Sequence, residues 1–138
     1  MGGLVAKHPK GDLAGGAYME VPYLDALRTM TNRTLPLTDI EADEFGLPEQ
    51  RLSDFASALE WSPMELLPEG GVKGVWQIVR TGLNDSEVFA YESAKWVERC
   101  GPAAYLAIEG GQGHFVSGAV GLRQQAADLA VLLDLASG

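Results

Sequence analysis

Cysteine is almost absent: Cys100 is the only one in 138 residues, so no internal disulfide can close and a four-cysteine zinc site is excluded. His8 and His114 are the only histidines, too few for a histidine-rich metal centre. Basic residues are scarce as well, with ten Lys and Arg against nineteen Asp and Glu and a formal net charge of −9. Nucleic acid and anionic membranes attract proteins through cations this chain lacks, so neither is expected as a partner. No stretch has the apolar length that crosses a bilayer, and residues 1–16 hold no apolar signal core. The expected setting is therefore cytoplasmic, or a virion if the protein is a phage component. No Walker A sequence occurs, and Gly110-Gly111-Gln112-Gly113 fails as a dinucleotide fingerprint because Val116 stands at the third glycine's place. The alternating Asp39-x-Glu41-x-Asp43 is followed by Phe45-Gly46, which does not make a calcium-binding loop. Neither a cofactor nor a metal is expected.

The acid that is present is unevenly spread. Residues 34–69 hold Asp39, Glu41, Asp43, Glu44, Glu49, Asp54, Glu60, Glu65 and Glu69 against one base, Arg51, a local charge of −8. Such asymmetry reads as a partner-facing surface. On this reading Asp39, Glu41, Asp43, Glu44, Glu49, Asp54 and Glu60 meet a basic protein partner, with Trp61 as the apolar anchor.

Periodicity gives the layout. Residues 1–20, with five glycines besides Pro9, read as an extended arm, and residues 21–138 as a single domain. Pro22 suits a short helix. Thr38 with Glu41 makes a capping box for a helix reaching Phe45, and Gly46 stops it. A second helix follows Pro48, with Leu52, Phe55, Ala56 and Leu59 as its apolar face. Residues 72–80 read as a strand, and residues 86–99 as a helix capped by Ser86 with Phe89, Trp96, Val97 and Cys100 turned inward. Residues 103–108 and 114–120 read as a hairpin, and residues 122–136 as a broad apolar helix. The expected class is α+β: a small antiparallel sheet of about three strands packed with four or five helices.

Two motifs carry chemistry. Residues 38–59 have the spacing of a helix-turn-helix, but the second helix would present Glu49 and Asp54 to phosphate, and a regulator is the lesser alternative. Cys100-Gly101-Pro102-Ala103-Ala104 resembles the nucleophile segment of C39-type cysteine peptidases, and Gly113-His114-Phe115-Val116 resembles their histidine segment. That resemblance implies a small hydrolase with a Cys100–His114 dyad. The leading expectation is instead a non-enzymatic assembly subunit that forms a homo-oligomer or larger particle, or an acidic inhibitor or chaperone of a basic partner.

Overall fold

The computed structural model describes residues 1–35, 38–111, 113–114 and 118–137. In chain order the described elements are α1 (Gly2–Lys7), β1 (Gly16–Glu20), α2 (Ala26–Met30), α3 (Ala42–Phe45), α4 (Leu52–Trp61), α5 (Pro63–Leu66), β2 (Trp76–Gly82), α6 (Ala90–Cys100), β3 (Ala104–Glu109) and α7 (Gly118–Ser137).

The strands lie in the order β1-β2-β3 with both pairings parallel, Tyr18 opposite Ile78 and Ile78 opposite Tyr105. This corrects the expected antiparallel sheet. A parallel neighbour needs a crossover, and α6 supplies it between β2 and β3. The near-continuous burial of β2 is the mark of a strand covered on both faces. Of the second hairpin strand expected over residues 114–120, residues 115–117 lie outside the described residues and 118–120 begin α7. The architecture is α/β.

Alternation along β2 sorts the layers. Gln77 faces α6, where its Oε1 accepts the Trp96 indole N–H at 2.8 Å. Arg80 points to the opposite face and reaches Asp128 on α7. The main core lies on the α6 side, where Val5, Ala17, Met19, Val79, Trp96 and Cys100 are buried together.

The expected arm is part of this core. Val5 and Ala6 of α1 and Ala17 and Met19 of β1 are buried. Glycine here serves close approach rather than an extended arm: Gly11, at φ +76°, crosses Gly74 so tightly that a Cβ on either would meet backbone at 2.1 Å. Pro9 O accepts the amide hydrogens of both Lys73 and Gly74. The capping box also differs. Thr38 is buried and donates its hydroxyl to Thr29 O and Asn32 O, while α3 starts later, at Ala42. On α4 the expected apolar face is outward: Leu52 is 83% exposed, Phe55 and Leu59 are exposed, and Ala58 is the buried position.

Candidate active site

Asp85 and His114 emerge from the same edge of the sheet. Asp85 follows the C-terminal end of β2 and His114 follows the C-terminal end of the adjacent β3. Loops at the carboxyl ends of parallel strands are where α/β sheets place their chemistry. His114 Nδ1 lies 2.9 Å from Asp85 Oδ2. The Asp85 side chain is wholly buried and that of His114 is 26% exposed.

Asp85 is held by its own loop. Its Oδ1 accepts the amide hydrogens of Glu87 at 2.8 Å and Val88 at 3.0 Å. Those two bonds fix the carboxylate, leaving Oδ2 for the imidazole. His114 Nε2, the other ring nitrogen, lies 3.8 Å from Glu87 Oε2. Beside it is a hollow of about 180 Å³ lined by Tyr23, Thr29, Glu41, Phe45, Glu87, Val88 and His114 itself. Tyr23 and Phe45 stand with ring centroids 5.8 Å apart, and Phe45 continues to Trp61 at 5.4 Å. Burial raises the Tyr23 phenol above its ordinary range, and nearby Glu92 and Glu41 add to that effect. Tyr23 therefore stays neutral as a wall of the hollow.

The fold scatters the acidic surface array. Glu41 enters the hollow beside His114. Asp39 accepts from Arg33 Nε at 2.9 Å, and Asp54 accepts the Leu47 amide hydrogen at 2.9 Å. Asp43, Glu44, Asp54 and Trp61 border a separate surface hollow, while Glu49 and Glu60 are exposed. Among the described residues no cluster of His, Cys, Asp and Glu could hold a metal ion.

The Cys100–His114 dyad does not form. Cys100 is 2% exposed at the end of α6, and its thiol is directed to Gln77 Oε1 at 3.8 Å. Burial pushes that thiol up to about 11, the reverse of what a thiolate nucleophile needs. The side-chain partner of His114 is Asp85, a residue absent from the sequence-derived candidates. A signal existed: Asp85 closes the turn after one apolar strand and His114 the turn after the next, which in a parallel sheet brings them together.

The prolyl oligopeptidase family model matches residues 1–135. The chain belongs to the prolyl oligopeptidase family. Protease 2 of Moraxella lacunata is 34% identical over 79 residues, which is 57% of this chain and 11% of that protein. Dipeptidyl aminopeptidase BI of Pseudoxanthomonas mexicana is 39% identical over 79 residues, 57% of this chain and 10% of its own length. Among solved structures, oligopeptidase B from Leishmania major superposes with a TM-score of 0.86 at 27% identity, covering 99% of this chain and 19% of that one. Oligopeptidase B from Trypanosoma brucei with covalently bound antipain gives 0.82 at 25% identity, covering 99% and 20%. The chain thus spans about a tenth of the curated relatives' length and a fifth of the solved chains. Its parallel sheet is part of an α/β-hydrolase fold.

Membership in a peptidase family overturns the assembly-subunit reading, and with it the acidic inhibitor, the cysteine hydrolase and the helix-turn-helix regulator. Residues 38–59 carry the short α3 and most of α4, with Glu41 on the hollow beside His114.

Proposed function

We propose that this chain supplies the acid–base part of a serine peptidase's catalytic centre, with His114 as the proton carrier and Asp85 as the carboxylate that orients it. One observation carries the reading: the buried Asp85 carboxylate, fixed by two backbone amides, hydrogen-bonded to His114 Nδ1 at the carboxyl edge of a parallel sheet. In α/β-hydrolases the chain order is nucleophile, acid, histidine. Asp85 before His114 agrees with it. No Gly-x-Ser-x-Gly occurs in the 138 residues. Of the serines preceding Asp85, Ser53 bonds Asp54, Ser57 lines the other hollow and Ser62 accepts the Leu27 amide hydrogen. The nucleophile therefore comes from another segment of a longer polypeptide.

With Nδ1–H donated to Asp85, Nε2 is the basic nitrogen. It takes the serine hydroxyl proton as oxygen attacks the scissile carbonyl carbon, and the resulting imidazolium returns that proton to the departing amine. Water then attacks the acyl-enzyme with the same nitrogen as base, releasing acid and serine. Asp85 keeps its charge throughout, stabilising the imidazolium. Glu41 and Glu87, set among the rings of Tyr23 and Phe45, make the neighbouring hollow complementary to a substrate's basic side chain.

The test uses the intact polypeptide. A serine-directed fluorophosphonate should label it, and peptide amides with a basic residue at the cleavage site should be hydrolysed. His114→Ala should lower both rates by about 10³-fold or more. Undiminished labelling and turnover in that variant would remove His114 from the chemistry.

A further inference from the structure

We propose that Arg80 is a positioning residue for the Asp85–His114 pair, clamping both flanks of the loop that carries His114; this rests on the peptidase reading above. Arg80 lies on β2, its side chain only 9% exposed. Its Nε donates to Asp128 Oδ2 at 2.8 Å, and a terminal nitrogen lies 2.7 Å from the same oxygen. The other terminal nitrogen binds Glu109 Oε1, which also accepts from Gln124 Nε2 at 3.1 Å. One guanidinium therefore joins β2, the end of β3 and α7.

The placement gives the clamp its meaning. Glu109 is the last residue of β3, immediately before the turn to His114, and Asp128 belongs to α7, the helix that follows that turn. The strand that precedes His114, at its last residue, and the helix that follows it, at its middle, are thus tied to one side chain. Arg80 itself sits five residues before Asp85, on the strand that leads to it. The strand ends are also joined directly, since the Leu83 amide hydrogen is donated to Glu109 O at 3.0 Å. A buried ion triad is a poor device for stability alone, because removing three charged groups from water costs much of what their attraction returns. It is a good device for geometry: the guanidinium fork fixes direction as well as distance. The catalytic pair needs that, because its two members arrive on separate strands.

The experiment compares parent, Arg80→Met and Arg80→Lys in the intact polypeptide, by steady-state kinetics on a peptide amide and by nitrogen-15 histidine NMR of the His114 ring, assigned with His114→Ala. Misplacement by about an ångström can cost roughly 100-fold in rate, so Arg80→Met should lose about 10- to 100-fold in kcat with KM unchanged. Its His114 Nδ1 proton should exchange faster with solvent. Arg80→Lys, which keeps the charge without the fork, should recover kcat in part. Should Arg80→Met not fold, Glu109→Gln takes its place, since it keeps the Gln124 contact and drops the charge. A folded variant with parental kcat and a parental Nδ1 proton overturns the clamp, even if its melting temperature has fallen. The two readings separate cleanly: an inactive parent strikes the peptidase assignment, whereas an active parent with an indifferent Arg80 variant strikes the clamp alone.

Discussion

Asp85 and His114 stand 29 residues apart in sequence, yet 2.9 Å separates the Asp85 Oδ2 and His114 Nδ1 atoms. The aspartate has two duties: Oδ1 closes its own loop on the Glu87 and Val88 amides, and Oδ2 sets the imidazole. Two substitutions separate those duties.

Asp85→Asn keeps an oxygen for the two amides but can present N–H, not oxygen, to His114 Nδ1. The imidazole is then driven to carry its proton on Nε2, where it cannot accept the nucleophile's. In the intact protein kcat should fall about 10⁴-fold with the melting temperature little changed. Asp85→Ala should lose activity and also stability, by about 1–3 kcal/mol, because the Glu87 and Val88 amides lose their acceptor. Thermal melts beside kinetics distinguish the two, and equal melting temperatures would refute the double role.

Glu41 lines the hollow beside His114, so its charge should be felt by a basic substrate side chain and not by a neutral one. Glu41→Gln should lower kcat/KM for substrates cleaved after Arg or Lys by about tenfold, the effect of losing about 1.4 kcal/mol of attraction. Neutral substrates should be spared, and the discrimination should shrink as salt rises. Matched substrates assayed at two ionic strengths check this. An equal loss on both classes would mean that Glu41 supports the fold and does not read the substrate.

How far the sequence could be read depends on what was local. Val79 and the apolar run around it marked β2, and Trp96 and Cys100 marked the buried face of α6, because strand and helix periodicities are local signals. Strand direction was not local. The glycines at 110, 111 and 113 suit a hairpin as well as a turn into α7, and only the β2–β3 register, Val79 beside Leu106, decides between them. Residues 1–20 misled for a related reason: glycine signals freedom, and close contact of the Gly11–Gly74 kind uses that freedom for packing. At the site, His114 was visible as a rare residue type, whereas Asp85 was one acid among nineteen. Its place in the turn after an apolar strand becomes informative only once the sheet is known to be parallel, and its burial comes from the tertiary fold.

Cys100 tempts as a nucleophile, and its surroundings argue against it. The thiol is buried, bonded to Gln77, and pushed up to about 11, so at neutral pH almost no thiolate exists. The native protein should resist thiol reagents at neutral pH and react at this position only on unfolding. Cys100→Ala should keep full peptidase activity while losing about 1 kcal/mol of stability from the core it fills. Rapid labelling of Cys100 in the folded protein by iodoacetamide, located by peptide mass spectrometry, would contradict this.

Glu92 is a buried carboxylate whose work is structural. It is fully buried on α6; its Oε2 accepts the amide hydrogens of Leu24 at 3.1 Å and Asp25 at 2.9 Å, and its Oε1 accepts the Thr29 hydroxyl at 2.9 Å. It thereby holds the segment that carries Tyr23 and Thr29 to the hollow beside His114. Burial raises its pKa above the ordinary 4.5, and the hydrogen bonds from Asp25, Thr29 and Leu24 offset this only in part. The sign follows. A folded state that holds the proton more tightly than the unfolded chain gains stability below about pH 4.5, the unfolded value, and loses that gain as pH rises through the higher folded value. Glu92→Gln can still accept both amide hydrogens with its oxygen and donate to Thr29, but it does not titrate. Denaturant unfolding from pH 4.5 upward should therefore show the parent losing stability relative to Glu92→Gln until Glu92 has ionised in the folded state. Glu92→Leu, which leaves two amides and a hydroxyl without an acceptor, should be destabilised by about 2–4 kcal/mol across the same range. A parent that gains on Glu92→Gln as pH rises would mean that the hydrogen bonds outweigh burial at this carboxylate.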